Sequence, residues 1–288
     1  MYSSQVLTAF VSLLAAAEAI QAPQYSGFTR LFQATFEGAA NTPPHPDNWN
    51  VINSAQVYNN EWQVYTNSAN NVRFSGSSTL QLIPRRSSSA VRGWTSGRIE
   101  SRYLVQPTDG RITRVESSLR VGSNAQANKQ GLWPAFWLLG NSYRTNGVLW
   151  PACGEIDAFE NINGLPTVWG VVHCDRSPGG VCNEPNGLVN TTALPNSNYH
   201  TYRIDIDRRN TDWRRQTITW FQDGRQFNQV TGARVNNQAV WATLAQSPLY
   251  IILNVAVGGD WPGAPNANTL DGSGAMMEVQ YVSVYRST

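Results

Sequence analysis

Three carboxylates stand within one short run, Glu155-Ile156-Asp157-Ala158-Phe159-Glu160, in a chain where only 14% of residues are charged, against roughly a quarter in an average soluble protein. Crowded acids repel, so a stretch that tolerates them is either solvated or kept for chemistry. The run alternates apolar and acidic residues after Trp150-Pro151-Ala152-Cys153, the pattern of a strand with one face in a cleft. In a regular strand Glu155 and Asp157 share a face, whereas Glu160, five positions on, points to the other. One β-bulge between Asp157 and Glu160 returns it to the shared face, and bulges are common beside active sites. The glutamate Cα atoms would then lie roughly 13 Å apart, four strand rises. Side chains leaning inward close much of that gap, toward the ~5–5.5 Å of a retaining glycosidase pair; an inverting pair would require them to splay. The alternative is an acidic exposed or salt-bridged strand edge. Against it, the segment is embedded in aromatics and has no lysine or arginine from Leu149 to Val172.

The rest of the chain must position these acids. Its 288 residues suit one large domain or two small ones, and 41% hydrophobic residues, with eleven tryptophans and eleven tyrosines, supply a core and leave aromatics for the surface. A net charge of +2 is too small to imply nucleic acid or an anionic membrane as partner. The basic pairs Arg85-Arg86, Arg208-Arg209 and Arg214-Arg215 are scattered and read as solvated loop and edge positions. Residues 6–17 form an apolar stretch of signal-peptide length, too short to span a bilayer. Cleavage after Ala19 or Ala22 is expected, with residues 1–22 as the signal segment, which makes the mature protein secreted and extracellular. Cysteine usage agrees: Cys174 and Cys182 bracket a loop that a disulfide would close, leaving Cys153 as a buried thiol beside the acidic strand. Three cysteines and three histidines show no zinc spacing. Asn190-Thr191-Thr192 is a glycosylation sequon, expected on a loop.

Short β-rich runs separated by turn residues fill the chain. Alternation predicts strands at 72–74, 79–83, 98–104, 114–121, 202–207, 216–221 and 277–285, with Asp223-Gly224 as a hairpin turn. Leu249 to Val257 is a continuous apolar run, expected of a fully buried central strand. The one helical signal after the leader lies near Val240–Gln246. Many strands without interspersed helices predict an all-β sandwich. No linker divides the chain, so a single domain over 23–288 is expected.

The acidic run resembles the bulged signature of glycoside hydrolase family 16. Leu132-Trp133-Pro134-Ala135-Phe136-Trp137-Leu138-Leu139-Gly140 before it and Leu253-Asn254-Val255-Ala256-Val257-Gly258-Gly259-Asp260-Trp261-Pro262-Gly263 after it are similar to the laminarinase branch, endo-β-1,3-glucanases. Two more blocks, Asn59 to Thr66 and Thr95 to Ser101, occur in the same order. The resemblance covers nearly the whole mature chain. It implies a β-jelly-roll of two curved antiparallel sheets with a β-glucan polysaccharide lying in the concave face. It further implies Glu155 as nucleophile, Glu160 as acid/base, Asp157 as the group tuning the nucleophile, and His173 as support near the acid/base; a structural histidine is the alternative. Glucose presents a flat C–H face that stacks on indole, which makes Trp133, Trp137, Trp150 and Trp261 candidate sugar platforms, with core packing as the alternative for each. Asn60 and Arg98 match positions that bond sugar hydroxyls.

Some relatives bind structural calcium with an acid near each terminus. Glu37 would supply the first, but Gln280 stands where an aspartate is common, and a neutral amide weakens a hard-cation site. No cofactor is therefore expected, and the enzyme is expected to act as a monomer. The expected activity is retaining endo-β-1,3-glucan hydrolysis, with mixed β-1,3-1,4 glucan as a further substrate. The alternatives are a cell-wall transglycosylase, which usually carries the unbulged E-x-D-x-E spacing, and a non-catalytic glucan-binding lectin, which commonly lacks one of the three acids.

Overall fold

The computed structural model describes residues 20–288; the expected signal segment lies almost wholly outside them. Two antiparallel sheets face each other. One, of seven strands, runs in the order Leu188–Ala193, Thr167–His173, Glu155–Glu160, Leu132–Gly140, Leu249–Val257, Arg98–Val105, Trp49–Val51. The other, of eight, runs Arg225–Thr231, Thr217–Gln222, His200–Asp207, Ile112–Val121, Met277–Ser287, Leu80–Leu82, Val72–Phe74, with Phe28–Thr35 also paired to Met277–Ser287. A small third sheet contains the one parallel pair among the described strands, Gln63–Tyr65 with Trp94–Ser96. This is the expected jelly-roll sandwich.

Alternation decides which residues meet between the sheets. Phe136, Leu138, Ile156, Phe159, Ile251 and Leu253 from the seven-stranded sheet pack on Val115, Ile204, Ile218, Trp220, Val282 and Val284 from the other. The uninterrupted run Leu249–Val257 is buried at every position. Its outward residues lie beneath the cleft; Tyr250 and Ile252 pack there with Leu139 and Cys153. Asp223 and Gly224 both adopt positive φ, 48° and 77°, as a two-residue hairpin loop of the primed type requires. The helical signal corresponds to Gln238–Ala245. Asn237 caps it by accepting from the Ala239 and Val240 amides, and Trp241, Leu244 and Ala245 are its buried side.

Two readings of the surface need correction. Asn190 is not in a loop but on the edge strand Leu188–Ala193, whose run Val189-Asn190-Thr191 is exposed; its amide donates to the Phe227 carbonyl at 2.9 Å. Thr-rich, β-branched sequence at a sheet edge pairs on one side and stays wet on the other. The arginine pairs are only partly solvated: Arg86, Arg209, Arg214 and Arg215 are exposed as expected, but Arg85 and Arg208 are half-buried. Arg208 is 13% exposed and bonds the Pro107 carbonyl, while Arg86 donates to the carbonyls of Asn266 and Thr269 and covers the Trp94 ring.

Candidate active site

The expected bulge is present. Asp157 pairs with Trp137 and Phe159 with Phe136, so Ala158 has no partner on that side; toward the Thr167–His173 strand the register shifts between Asp157 and Glu160. Ala158 and Phe159 both turn into the core at 0% exposure, and Glu160 emerges on the face of Glu155 and Asp157. An irregular strand inside a sandwich must still satisfy its backbone. Here the Trp220 indole, from the opposite sheet, donates to the Asp157 carbonyl at 2.7 Å.

Around the acids the cleft has two differently furnished ends. At the Glu160 end, the Trp133 indole donates to Glu160 Oε1 at 2.8 Å. Trp261 stands edge-on to both Trp133 and Trp169, with ring centroids 5.3 and 5.2 Å apart. Trp261 is 40% exposed, on a glycine-rich loop held by the Asn60 amide, which donates to Asp260 at 2.8 Å. Asn60 thus reaches the site as the brace of that loop. At the Glu155 end, Trp150, 38% exposed, lies 5.5 Å from the His173 ring and hydrogen-bonds toward Glu155. Trp137 is half-buried, bonds Asn254 through its indole at 2.7 Å, and carries the Arg98 guanidinium 5.1 Å from its ring. Arg98 is paired with Glu100, which Arg144 grips from its other side.

His173 sits directly opposite Glu155 across the strand pair, with Nε2 3.7 Å from Asp157 Oδ2 and Nδ1 2.7 Å from Glu184 Oε2. Cys153 is a buried free thiol, and Cys174 and Cys182 form the expected disulfide. The Cys153 carbonyl lies against Gly140, where any Cβ would collide with it.

Electrostatics separate the three acids. Burial raises the pKa of each. For Glu155 the charge of His173, the Trp150 hydrogen bond and Arg98 pull back. Glu160 is pushed up to about 7 by burial, against the pull of His173 and Trp133. Asp157 rises well above the usual carboxylate range: after burial, the neighbouring charges of Glu155, Glu160 and Glu184 all act in the same direction. Its Oδ2 is also buried without a hydrogen-bond partner. Asp157 is therefore where a proton resides most readily, and Glu155 is the acid best furnished to ionise.

Donor atoms of Glu155, Asp157 and His173 lie within 4.8 Å of one another, but the Glu184 hydrogen bond and the neighbouring carboxylates raise the pKa of His173, which favours the imidazolium over a metal-ligating neutral imidazole. For calcium the other residues do not fit: Glu37 is exposed and bonded to Thr35, the Gln280 amide oxygen accepts from Ser118, and among the described residues no acidic cluster gathers around either.

Two site residues escape the sequence reading. Trp169 was legible in principle, because it shares the face of His173 at i−4 on an alternating strand. Glu184 was not: an isolated acid in a Gly-, Pro- and Asn-rich loop looks solvated, yet its side chain is fully buried.

Comparison with known proteins agrees with this geometry. The chain is 36% identical to an endo-1,3-beta-glucanase from Streptomyces sioyaensis, superposing with a TM-score of 0.86 over 94% of this chain and 100% of that one. It is 29% identical to glucan endo-1,3-beta-glucosidase A1 of Niallia circulans over 92% of its own length, but spans only 39% of that relative. It is 28% identical to a beta-glucanase of Rhodothermus marinus, over 84% of this chain and 80% of that one. Residues 56–277 match the family model of the glycosyl hydrolases family 16. A cleft of paired glutamates on a bulged strand, on this fold and with this match, makes the chain a member of glycosyl hydrolase family 16.

Proposed function

We propose that this glycoside hydrolase is a secreted endo-β-1,3-glucanase that cleaves with retention of configuration. The observation that carries the reading is the bulge at Ala158, which places Glu160 on the face of Glu155 with different partners around each. In the first step Glu155 attacks the anomeric carbon while the glycosidic C–O bond breaks and Glu160 delivers its proton to the departing oxygen. In the second, Glu160 takes a proton from water, the water oxygen bonds to the anomeric carbon, and Glu155 is released. Asp157, holding a proton beside Glu155, moderates the charge that the nucleophile must carry. Trp133, Trp169 and Trp261 offer indole surface to sugar rings at one end of the cleft, and Trp137 and Trp150 at the other. Arg98 and Asn254 are the polar groups nearest Trp137 for sugar hydroxyls.

Preference for β-1,3 linkages rests on the glucanases to which the chain is similar. Secretion is supported by the disulfide and the apolar leader. Ala22 is 3% exposed against Tyr281 and Tyr285, and its carbonyl accepts from Arg30, so cleavage after Ala19 keeps a packed residue that cleavage after Ala22 would remove. Among the described residues no helix is long and apolar enough to cross a membrane. No resident cofactor enters the reaction, and a monomer contains every group it uses.

Incubation with laminarin, followed by reducing-end assay and proton NMR of the first product, tests this. Newly released β-anomer is expected. Initial α-anomer would refute retention, and unchanged polymer would refute the activity.

A further inference from the structure

Glu184 is a buried acid that the reaction above leaves unused, and it is fully partnered. Its Oε1 accepts from the Cys174 amide at 2.8 Å and its Oε2 lies 2.7 Å from His173 Nδ1. The segment that delivers it, 175–187, is pinned two residues before Glu184 by the Cys174–Cys182 disulfide. Gly179 and Glu184 exchange backbone hydrogen bonds of 2.8 and 2.7 Å within it. Gly187, at φ +71°, runs so close that a Cβ there would lie 2.9 Å from His173 Cε1. On the opposite side of the ring, Nε2 faces Asp157 Oδ2, the oxygen that has no hydrogen-bond partner.

The geometry points to Glu184 as a positioning residue that holds the His173 ring through Nδ1, so that Nε2 presents a cation to the acidic trio from outside the cleft. The inference rests on the glycosidase reading and adds a residue to it. A histidine with one nitrogen anchored to a carboxylate has its tautomer and ring orientation fixed. The groups facing His173 are Glu155, Asp157 and Glu160 from one strand, Glu184 from the loop, and the Trp150 ring. Burial alone would strip its proton; the Glu184 hydrogen bond and the charges of Glu155, Glu184 and Glu160 outweigh that, and the pKa ends above its ordinary value. Without Glu184, His173 would turn neutral at lower pH and Glu155 would lose the strongest electrostatic help that offsets its burial.

The test is an NMR titration of the His173 ring nitrogens in the full-length chain, in wild type and in Glu184→Gln, with His173→Gln to assign the signal. In wild type both nitrogens should be protonated near neutral pH, and in Glu184→Gln the midpoint should fall by about one unit or more, the scale of losing an adjacent opposite charge. On laminarin, kcat should drop roughly tenfold to a hundredfold, as for carboxylates that orient a working histidine, with KM little changed and the alkaline limb of the pH profile displaced upward, because Glu160 loses the His173 charge that lowers its pKa. Glu184→Asp, which keeps the charge, should recover part of the midpoint. Equal midpoints in wild type and Glu184→Gln would overturn the inference, whatever the activity. Should Glu184→Gln fail to fold, a wild-type His173 that is neutral with Nδ1 unprotonated at pH 6 overturns it equally. The titration does not depend on hydrolysis, so inactivity of the wild type would count against the proposed function alone.

Discussion

Asp157 and Glu278 are almost equally buried, 3% and 4% exposed, on interior strands of opposite sheets that each carry a bulge. Their protons behave oppositely. Glu278 accepts from Thr79, Gln81 and Arg120, and although burial alone would raise its pKa, these donors bring it below the ordinary value. Asp157 has an orphan oxygen and three carboxylates acting on it, and rises. Burial is common to both, so the neighbours decide. On the outer sheet each acid is matched: Arg114 grips Asp205 with two bonds of 2.9 and 2.8 Å, and Tyr25 and Tyr281 both donate to Glu116. In the cleft, acids outnumber cations, and that shortage is what keeps a proton available for chemistry.

Substitutions sharpen the contrast, beginning with the largest effect. Glu155→Gln should lower kcat by about 10⁴-fold or more, the scale of losing a nucleophile, while calorimetry shows laminari-oligosaccharide binding nearly intact; equal loss of binding would make Glu155 a structural acid. Asp157→Asn should cost roughly 10²-fold in kcat, typical of removing a group from proton traffic. It should leave the alkaline limb in place, because Asp157 already carries its proton when Glu160 titrates. That limb in wild type should lie near pH 7, where Glu160 gives up its proton.

Stability separates the two regions as well. Glu160 binds its proton more tightly folded than unfolded, so its contribution is full below about pH 4.5 and is lost as pH rises through about 7. Glu160→Gln should therefore flatten the decline of melting temperature across that window. Glu278 has the reverse sign: its lowered pKa contributes stability above the ordinary carboxylate value and loses it as pH falls. Glu278→Gln should cost about 1–3 kcal/mol at neutral pH, with the difference shrinking in acid, as read by urea denaturation. Trp220→Phe leaves the Asp157 carbonyl without its indole donor and should cost about 1–2 kcal/mol; an unchanged midpoint would show that the bulge needs no such support.

The two regions were also unequally legible in sequence. The cleft strand revealed itself because three acids in a charge-poor chain have few structural explanations, and their spacing demanded a bulge. The bulge at Gln280 was not foreseen. Val279, Val282 and Val284 line the core while Tyr281 and Tyr285 pack outside with Ala22 and Tyr25, and a run rich in both valine and tyrosine fits either face of a sheet. Trp133, Trp137, Trp150 and Trp261 all reach the cleft, where indole rings can be both packed and half exposed. Glu184 stayed hidden because its burial depends on a disulfide, a glycine contact and a partner eleven residues away, none of which appears as periodicity.

The most direct test of the claim that the cleft is short of positive charge is infrared titration of the carboxyl groups. At about pH 6, well above ordinary carboxylate values, the account predicts protonated carboxylic acid absorption from both Asp157 and Glu160 in wild type, of which Asp157→Asn removes the Asp157 part and Glu278→Gln removes none. Complete ionisation of every carboxyl group by about pH 5.5, or a band that survives Asp157→Asn unchanged, would contradict it.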